Sequence, residues 1–190
     1  ASEAEFLSTV ERWTVDSNGV SWPSDFTMFT GLTRIEVKDS VGLNNQEYSK
    51  EAHISYVETD SYLSGVSETL NPKDIKVLRF EGNVFPDSLD GIAAYTNLEE
   101  LKIDIFPAYC EMDISGIGAC SKLKTLHLDC GTVYAGLQEI GELQELERLY
   151  LNHVNLSDCD FLSKLPQLEE LSVATEEEAI RWAVAPGNVM

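Results

Sequence analysis

Long apolar runs are absent from this sequence. No stretch approaches the roughly 20 apolar residues that a membrane-spanning helix requires, so we expect no direct membrane insertion. With 43% hydrophobic and 9% aromatic residues, the chain still has the composition of a globular protein. Its 190 residues suit one domain with a real core, and we expect a single domain over residues 1–190.

Basic residues are also scarce. The chain has 13 lysines and arginines against 33 acidic residues, which gives a formal net charge of -20. This balance argues against nucleic acid as a partner, because phosphates require a basic patch. It argues equally against anionic membrane surfaces. Two interpretations of the acidity stay open: it serves solubility alone, or it attracts a basic partner or cations.

Cysteine is rare and its spacing is uninformative. The four cysteines, Cys110, Cys120, Cys130 and Cys159, form no CxxC motif and are too few for a disulfide scaffold. The redox compartment is therefore not decided by the sequence. We expect Cys120 to fill a core position, because a free cysteine behaves as a small hydrophobe.

A seven-residue phrase recurs four times in the second half of the chain, as NLEELKI, KLKTLHL, ELERLYL and QLEELSV. It has the form L-x-x-L-x-L, and its first leucines, Leu98, Leu123, Leu146 and Leu168, are 25, 23 and 22 residues apart. Stepping backward by similar intervals finds four more copies: those that start at Leu32 and Ile75 fit well, and the one at Val10 fits with Trp13 in place of leucine. We number the eight repeats by their starts at residues 10, 32, 54, 75, 98, 123, 146 and 168. The third fits least well, because Thr59 would place a hydroxyl inward, and this leaves its register open.

Apolar residues with a spacing of three precede several repeats, as in Ile92, Tyr95 and Leu98. This period suits a 3₁₀ or short helical turn. Each unit is therefore predicted to be a short strand followed by a tight turn and a compact return. Such a unit cannot bury its apolar face alone, so neighbouring units must stack.

The pattern is that of leucine-rich repeats, whose period is about 20–29 residues. Asn18 and Asn83 occupy its asparagine position. The stretch LNHVNLSDCDFLSKLPQLEELSV resembles the short-repeat, internalin-like class of bacterial leucine-rich repeat proteins, and the resemblance covers about residues 7–175. It implies an α/β-type solenoid: a curved parallel sheet of about eight strands with irregular or 3₁₀ convex returns. It also implies a bacterial secreted or cell-surface protein.

The two ends of the solenoid carry different signals. In TEEEAIRWAVAPG, Thr175 and Glu178 form a capping box and Pro186-Gly187 is a helix stop. We expect a C-terminal helical cap over residues 176–190, which either covers the last repeat or docks on something else. Residues 2–9 are too few for a similar cap, so we expect the N-terminal end to be partly open.

Strand alternation predicts which side chains form the concave face. Within the repeats these are Thr14, Glu36, Glu58, Arg79, Lys102, His127, Tyr150 and Ser172. The residues just after the repeats are Asp16, Lys38, Asp60, Glu81, Asp104, Asp129, Asn152 and Ala174. The four consecutive acids from Asp60 to Asp129 form either a solvated, self-compensated surface or a ladder for a basic partner or divalent cation.

Catalytic signatures are missing: no nucleophile elbow, P-loop, HExxH or dinucleotide fingerprint occurs. The best enzyme candidate pairs Cys130 with His153, which occupy equivalent positions in neighbouring repeats, beside His127 and Asp129. Two repeats alone offer only a shallow surface. We therefore expect Cys130 and His153 to be close together without a metal, a cofactor or turnover.

Aromatic residues and arginine dominate protein interfaces, and the later repeats supply them in Tyr150, His127, His153 and Arg148. The favoured hypothesis is a monomeric, non-enzymatic module that binds a protein or peptide on the concave face. Its partner-binding candidates are Tyr150, His127, His153, Arg148, Arg79, Lys102, Glu81, Asp104 and Asp129. The alternatives are a structural spacer of a larger surface protein and a thiol or metal enzyme around Cys130 and His153.

Overall fold

The computed structural model describes residues 2–15, 25–37, 47–60, 70–82, 88–105, 111–152, 154, 156, 158–174 and 179–183. Its helices are α1 (Glu3–Leu7) and four 3₁₀ segments, Ile92–Ala94, Ile117–Ala119, Leu137–Glu142 and Asp160–Lys164. Its strands are β1 (Arg12–Val15), β2 (Asp25–Phe26), β3 (Arg34–Val37), β4 (Glu47–Tyr48), β5 (Tyr56–Thr59), β6 (Val77–Gly82), β7 (Glu100–Ile105), β8 (Glu111–Asp113), β9 (Thr125–Asp129), β10 (Thr132–Ala135), β11 (Arg148–Asn152), β12 (Glu170–Ala174) and β13 (Ala179–Ala183).

One nine-stranded sheet runs through the described residues in the order β1-β3-β5-β6-β7-β9-β11-β12-β13. The first eight strands are parallel, and each begins two residues after the predicted start of its repeat. This confirms the predicted solenoid of eight parallel strands. Each repeat is long enough for one strand of this sheet and its return, so each of these strands pairs with the equivalent strand of the next repeat.

The inward positions of the repeats stack in register. Leu101, Leu126, Leu149 and Leu171 are successive partners, as the repeated phrase predicts. The third repeat keeps the same register, since Thr59 pairs with Val37 and is 1% exposed. Its hydroxyl therefore does point inward, as its position in the repeat predicted.

The residues with a period of three lie in or beside the 3₁₀ segments and fill the core. Ile92, Tyr95 and Leu98 are all 0% exposed, and Ile92 begins a 3₁₀ segment. Burying one such large apolar side chain stabilises a fold by about 1.5–3 kcal/mol. The four 3₁₀ segments confirm that the later returns are built from tight turns.

Aromatic residues replace leucine in the core of the first repeats. The ring of Trp13 meets Phe26 edge-on with centroids 5.2 Å apart. Phe26 stacks on Tyr48 at 5.3 Å. Large rings fill the volume that branched aliphatic side chains fill elsewhere. The leucine pattern is therefore weak here although the architecture continues.

The returns contain more β-structure than predicted. Two parallel pairs, β2 with β4 and β8 with β10, form small sheets away from the main one. The sequence predicts irregular or 3₁₀ returns throughout. The difference arises because returns in successive repeats run side by side, so extended residues find backbone partners.

The predicted C-terminal helical cap is wrong for the residues that are described. Ala179–Ala183 form β13, which pairs antiparallel with β12. The last parallel strand would otherwise leave a row of backbone groups unpaired, and an added strand satisfies them. The segment also contains Ile180 and Trp182, which favour strands. Residues 175–178 and 184–190 lie outside the described residues, as do Asn18 and Asn83.

The N-terminal segment is more ordered than predicted. Residues 3–7 form α1, and Ser2 and Glu5 make a reciprocal capping box, with the Ser2 amide 2.7 Å from Glu5 Oε2. Leu7 is partly buried against the core. The S-x-x-E spacing of Ser2 and Glu5 is the sequence signal for this helix start, and it does not depend on the length of the segment.

Candidate binding face

The concave face is the side of the main sheet opposite the core. Three columns of side chains form it, in the register of the strand pairing. The first column is Arg12, Arg34, Tyr56, Val77, Glu100, Thr125, Arg148 and Glu170. The middle column is Thr14, Glu36, Glu58, Arg79, Lys102, His127, Tyr150 and Ser172. The third column contains Glu81, Asp104, Asp129, Asn152 and Ala174.

A buried carboxylate organises the N-terminal end of this face. Glu36 is 5% exposed and accepts hydrogen bonds from Arg12, Arg34 and Thr14, with Arg12 Nε at 3.1 Å. Burial raises the pKa of Glu36, but these donors outweigh it and hold the pKa below its ordinary value. The charges in this region thus bind one another.

Tyr56 continues that network. The guanidinium of Arg34 lies 3.5 Å from the centre of the Tyr56 ring, a cation–π contact. The Tyr56 hydroxyl donates to Glu58 at 2.6 Å. Burial, with the Glu58 carboxylate, raises the pKa of Tyr56 to about 12. This aromatic residue is therefore engaged on the face itself.

Ion pairs also occupy the fourth and fifth repeats. Arg79 Nη2 lies 2.6 Å from Glu100 Oε1. Lys102 pairs with both Glu81 and Asp104, the latter at 3.3 Å. For Glu81 and Asp104, the structure favours the self-compensated interpretation of the acidic ladder. Among the described residues, no group of three or more His, Cys, Asp or Glu side chains is placed to hold a metal ion.

Rings dominate the sixth and seventh repeats. The His127 and Tyr150 rings lie 5.5 Å apart and are tilted by 37°. His127 Nε2 is 3.2 Å from Asn152 Nδ2, within hydrogen-bonding distance. Burial, together with nearby Lys102, lowers the pKa of His127 below its ordinary value of 6.5. His127 is therefore neutral at pH 7.

Arg148 is not paired in the way that four other cations of the concave face are. Arg12, Arg34, Arg79 and Lys102 each pair with a carboxylate. Arg148 instead donates from Nε to Thr125 Oγ1 at 3.0 Å and is exposed. It borders a shallow depression of about 330 Å³, also lined by Arg79, Lys102, His127 and Tyr150.

The structure brings together five of the nine predicted site residues, since Arg79, Lys102, His127, Arg148 and Tyr150 all line this depression. Glu81, Asp104 and Asp129 lie beside it in the third column. His153 lies outside the described residues, so its proximity to Cys130 stays a prediction. Sequence reasoning missed Glu100 and Thr125, although strand alternation places the first column on the same face.

The three cysteines among the described residues do not form a site on this face. Cys130 is 0% exposed and belongs to the core, which corrects the thiol-site candidate built on it. Cys120 is buried as predicted, donates to the Ile92 carbonyl at 3.4 Å, and burial raises its pKa to about 12. Cys159 is an exposed free thiol. No helix within the described ranges is long and apolar enough to cross a membrane.

Comparison with solved structures shows the class of fold. Internalin C2 from Listeria monocytogenes superposes with a TM-score of 0.61 and 18% identity, over 87% of this chain and 71% of that one. Internalin F from the same organism gives 0.60 and 16%, over 90% of this chain and 49% of that one, so this chain spans about half of internalin F. The described residues thus have the leucine-rich repeat fold in its internalin-like form, as the resemblance implied. No family model and no curated protein matches the sequence.

Proposed function

We propose that this chain is a non-enzymatic interaction module that binds a protein or peptide on its concave face. The ligand docks over the fourth to seventh repeats. The observation that carries this proposal is the depression lined by Tyr150, His127 and Arg148. It lies where the face offers rings and a cation that is not paired with a described carboxylate.

The two halves of the face differ in what they offer a ligand. Glu36 and Tyr56 are held by neighbouring side chains, so a ligand would have to break existing contacts to use them. Tyr150 is partly exposed beside the depression, where its ring packs against the His127 ring at 5.5 Å. A tyrosine buries a large area at a low cost in side-chain entropy, which suits it as an anchor.

Charge contributes to encounter more than to affinity. The third column adds Glu81, Asp104 and Asp129 beside the depression, and the whole chain has a net charge of -20. Such a field steers a ligand with a basic or mixed-charge surface. It disfavours nucleic acid.

The remaining parts of the proposal concern context. The likeness in fold to two Listeria monocytogenes internalins supports a bacterial secreted or cell-surface protein. One hydrophobic cluster extends from Phe26 to Leu168, which supports a single domain. We propose that this domain acts as a monomer, without cofactor or metal.

Affinity capture from bacterial envelope and host extracts tests the proposal. The baits are the wild-type chain, Tyr150→Ala, and Tyr134→Ala as a matched control. Tyr134 is 58% exposed on β10, outside the main sheet. We expect one protein to be captured by wild type and Tyr134→Ala and lost with Tyr150→Ala. If capture is lost only with Tyr134→Ala, the binding site lies outside the concave face. Absence of any specific capture by folded bait would favour the structural spacer.

A further inference from the structure

We propose that the ligand anchors in the concave depression through an aspartate or glutamate side chain, which Arg148 binds. The inference rests on the proposed function and specifies the chemistry of its ligand. It reverses what the overall composition implies, because an acidic chain would here recognise an acidic group within a mixed-charge segment.

The cations of the concave face differ in whether a carboxylate is paired with them. Arg12, Arg34, Arg79 and Lys102 each already have a carboxylate partner. Arg148 has its Nε bonded to the neutral Thr125 hydroxyl, and neither of its Nη groups has a hydrogen bond to a described residue. Thr125 thus orients the guanidinium without neutralising it. A guanidinium held in this way can bind a carboxylate through two parallel hydrogen bonds.

Charged side chains line much of the depression. Three cations, Arg79, Lys102 and Arg148, line the depression together with one acid, Glu100. That acid is already bound to Arg79. Lys102 is paired with Glu81 and Asp104, so among the cations that line the depression it is Arg148 that no described carboxylate neutralises. His127 adds a neutral ring rather than a further charge, since burial holds its pKa below 6.5.

The surroundings select a single carboxylate over a polyanion. A volume of about 330 Å³ accommodates one acidic side chain beside the Tyr150 ring. A nucleic acid or sulfated glycan would extend over the third column, where Glu81, Asp104 and Asp129 repel it. A peptide can instead place one acid in the depression and basic residues over those carboxylates.

A neighbouring acid, Glu170, affects how strongly a ligand carboxylate binds Arg148. Glu170 is the register partner of Arg148 on β12, yet the two side chains form no ion pair within the described structure. Glu170 still lowers the local positive potential. Removing its charge with Glu170→Gln should therefore tighten a ligand that binds through a carboxylate, and should weaken one that binds through a lysine.

The experiment selects random dodecapeptides, displayed with their C-termini fused, on the full chain. Side chains are then the carboxylates available to the depression. Selected peptides are measured against wild type, Arg148→Gln and Arg12→Gln. Arg12 is a matched control, because it is an exposed arginine of the same column that pairs with Glu36. Circular dichroism checks that each variant is folded.

We expect the selected peptides to share an acidic residue. Changing it to its amide should weaken binding to wild type by about tenfold or more, and Arg148→Gln should give the same loss. In Arg148→Gln the amide peptide should bind no more weakly than the acidic one. Arg12→Gln should behave as wild type.

Two contrary results are distinguishable. If selected peptides lose affinity with Tyr150→Ala but need no acid, or if the amide effect persists in Arg148→Gln, the carboxylate anchor is refuted and concave binding stands. If no peptide is selected, or if binding is unaffected by both Tyr150→Ala and Arg148→Gln, the anchor and the proposed function fall together.

Discussion

Glu36 is a carboxylate that the concave face buries rather than presents. Its side chain is 6% exposed, whereas those of its partners Arg12 and Arg34 are 61% and 39% exposed. The desolvated member of the network is therefore the acid, and the two guanidiniums remain largely hydrated. Such an arrangement orders the first repeats, because Glu36 joins β1 to β3 through side chains as well as backbone.

Glu36→Gln should lower the free energy of unfolding by about 1–3 kcal/mol at pH 7, since charge-assisted hydrogen bonds become neutral ones. The folded pKa of Glu36 lies below the ordinary 4.5, so its contribution is present above that value and is lost as the pH falls through the folded pKa. The difference in the free energy of unfolding between wild type and Glu36→Gln should therefore narrow below pH 4.5.

Urea unfolding at several pH values measures that gap. Glu51→Gln is the control, because Glu51 is exposed. A gap that stays constant from pH 7 to pH 3 would show that Glu36 gains no stability from its charge.

At the scale of elements, the eight parallel strands followed from the sequence because each repeats the same inward positions. Leu101, Leu126 and Leu149 could be aligned by counting alone. The small return sheets could not, since β2 has only two residues and its pairing depends on a return that lies beside it in space. β13 was missed because a helix-capping pattern and strand-forming residues coexist in one segment, and the exposed sheet edge decides between them.

The candidate binding site could be predicted from the sequence about as far as the fold could. Alternation placed Tyr150 and His127 on one face, but it could not show that Arg79 and Lys102 find acids while Arg148 does not. That outcome depends on side-chain reach between neighbouring strands. Sequence spacing does not encode it.

Leu101, Leu126, Leu149 and Leu171 form one column of the core. The stability that is lost when one of them is changed to alanine should increase with how deeply that leucine is buried. Leu126 is 0% exposed, whereas Leu171 is only partly buried. Leu126→Ala should cost about 2–5 kcal/mol through lost burial and a cavity. Leu171→Ala should cost about 1–2 kcal/mol. Equal costs by chemical denaturation would contradict a core that thins toward the last parallel strand.

Two glycines that precede 3₁₀ segments allow a comparison of two glycine-to-alanine variants. Gly116 and Gly136 have φ angles of 90° and 82°, which disfavour other residues. A Cβ at Gly116 would meet Ala93 Cβ at 3.5 Å, an ordinary contact, whereas at Gly136 it would overlap the Ser115 amide nitrogen. Gly116→Ala should cost about 1–2 kcal/mol, from backbone strain alone.

Gly136→Ala should cost about 2–4 kcal/mol, because the neighbouring return must also move. Thermal unfolding of the two variants compares them directly. A Gly136→Ala variant as stable as Gly116→Ala would show that the returns are not packed as closely as the structure places them.

At the scale of the whole molecule, stability and binding are carried by opposite sides of the sheet. The core side of each strand is apolar and stacked, while Tyr150, His127 and Arg148 face away from it. Concave substitutions can therefore change affinity with little change in folding. Each repeat contacts mainly its neighbours, so a change in the seventh repeat should not disturb the first.

The affinity of the captured ligand for Tyr150→Ala and Tyr134→Ala, measured by surface plasmon resonance, tests concave binding most directly. We expect Tyr150→Ala to lose at least about 2 kcal/mol of binding free energy, roughly a thirtyfold rise in Kd, with its unfolding transition unchanged. Tyr134→Ala, which removes an exposed ring outside the main sheet, should bind as wild type. An unchanged Kd for Tyr150→Ala together with a weakened Tyr134→Ala would contradict a binding site on the concave face.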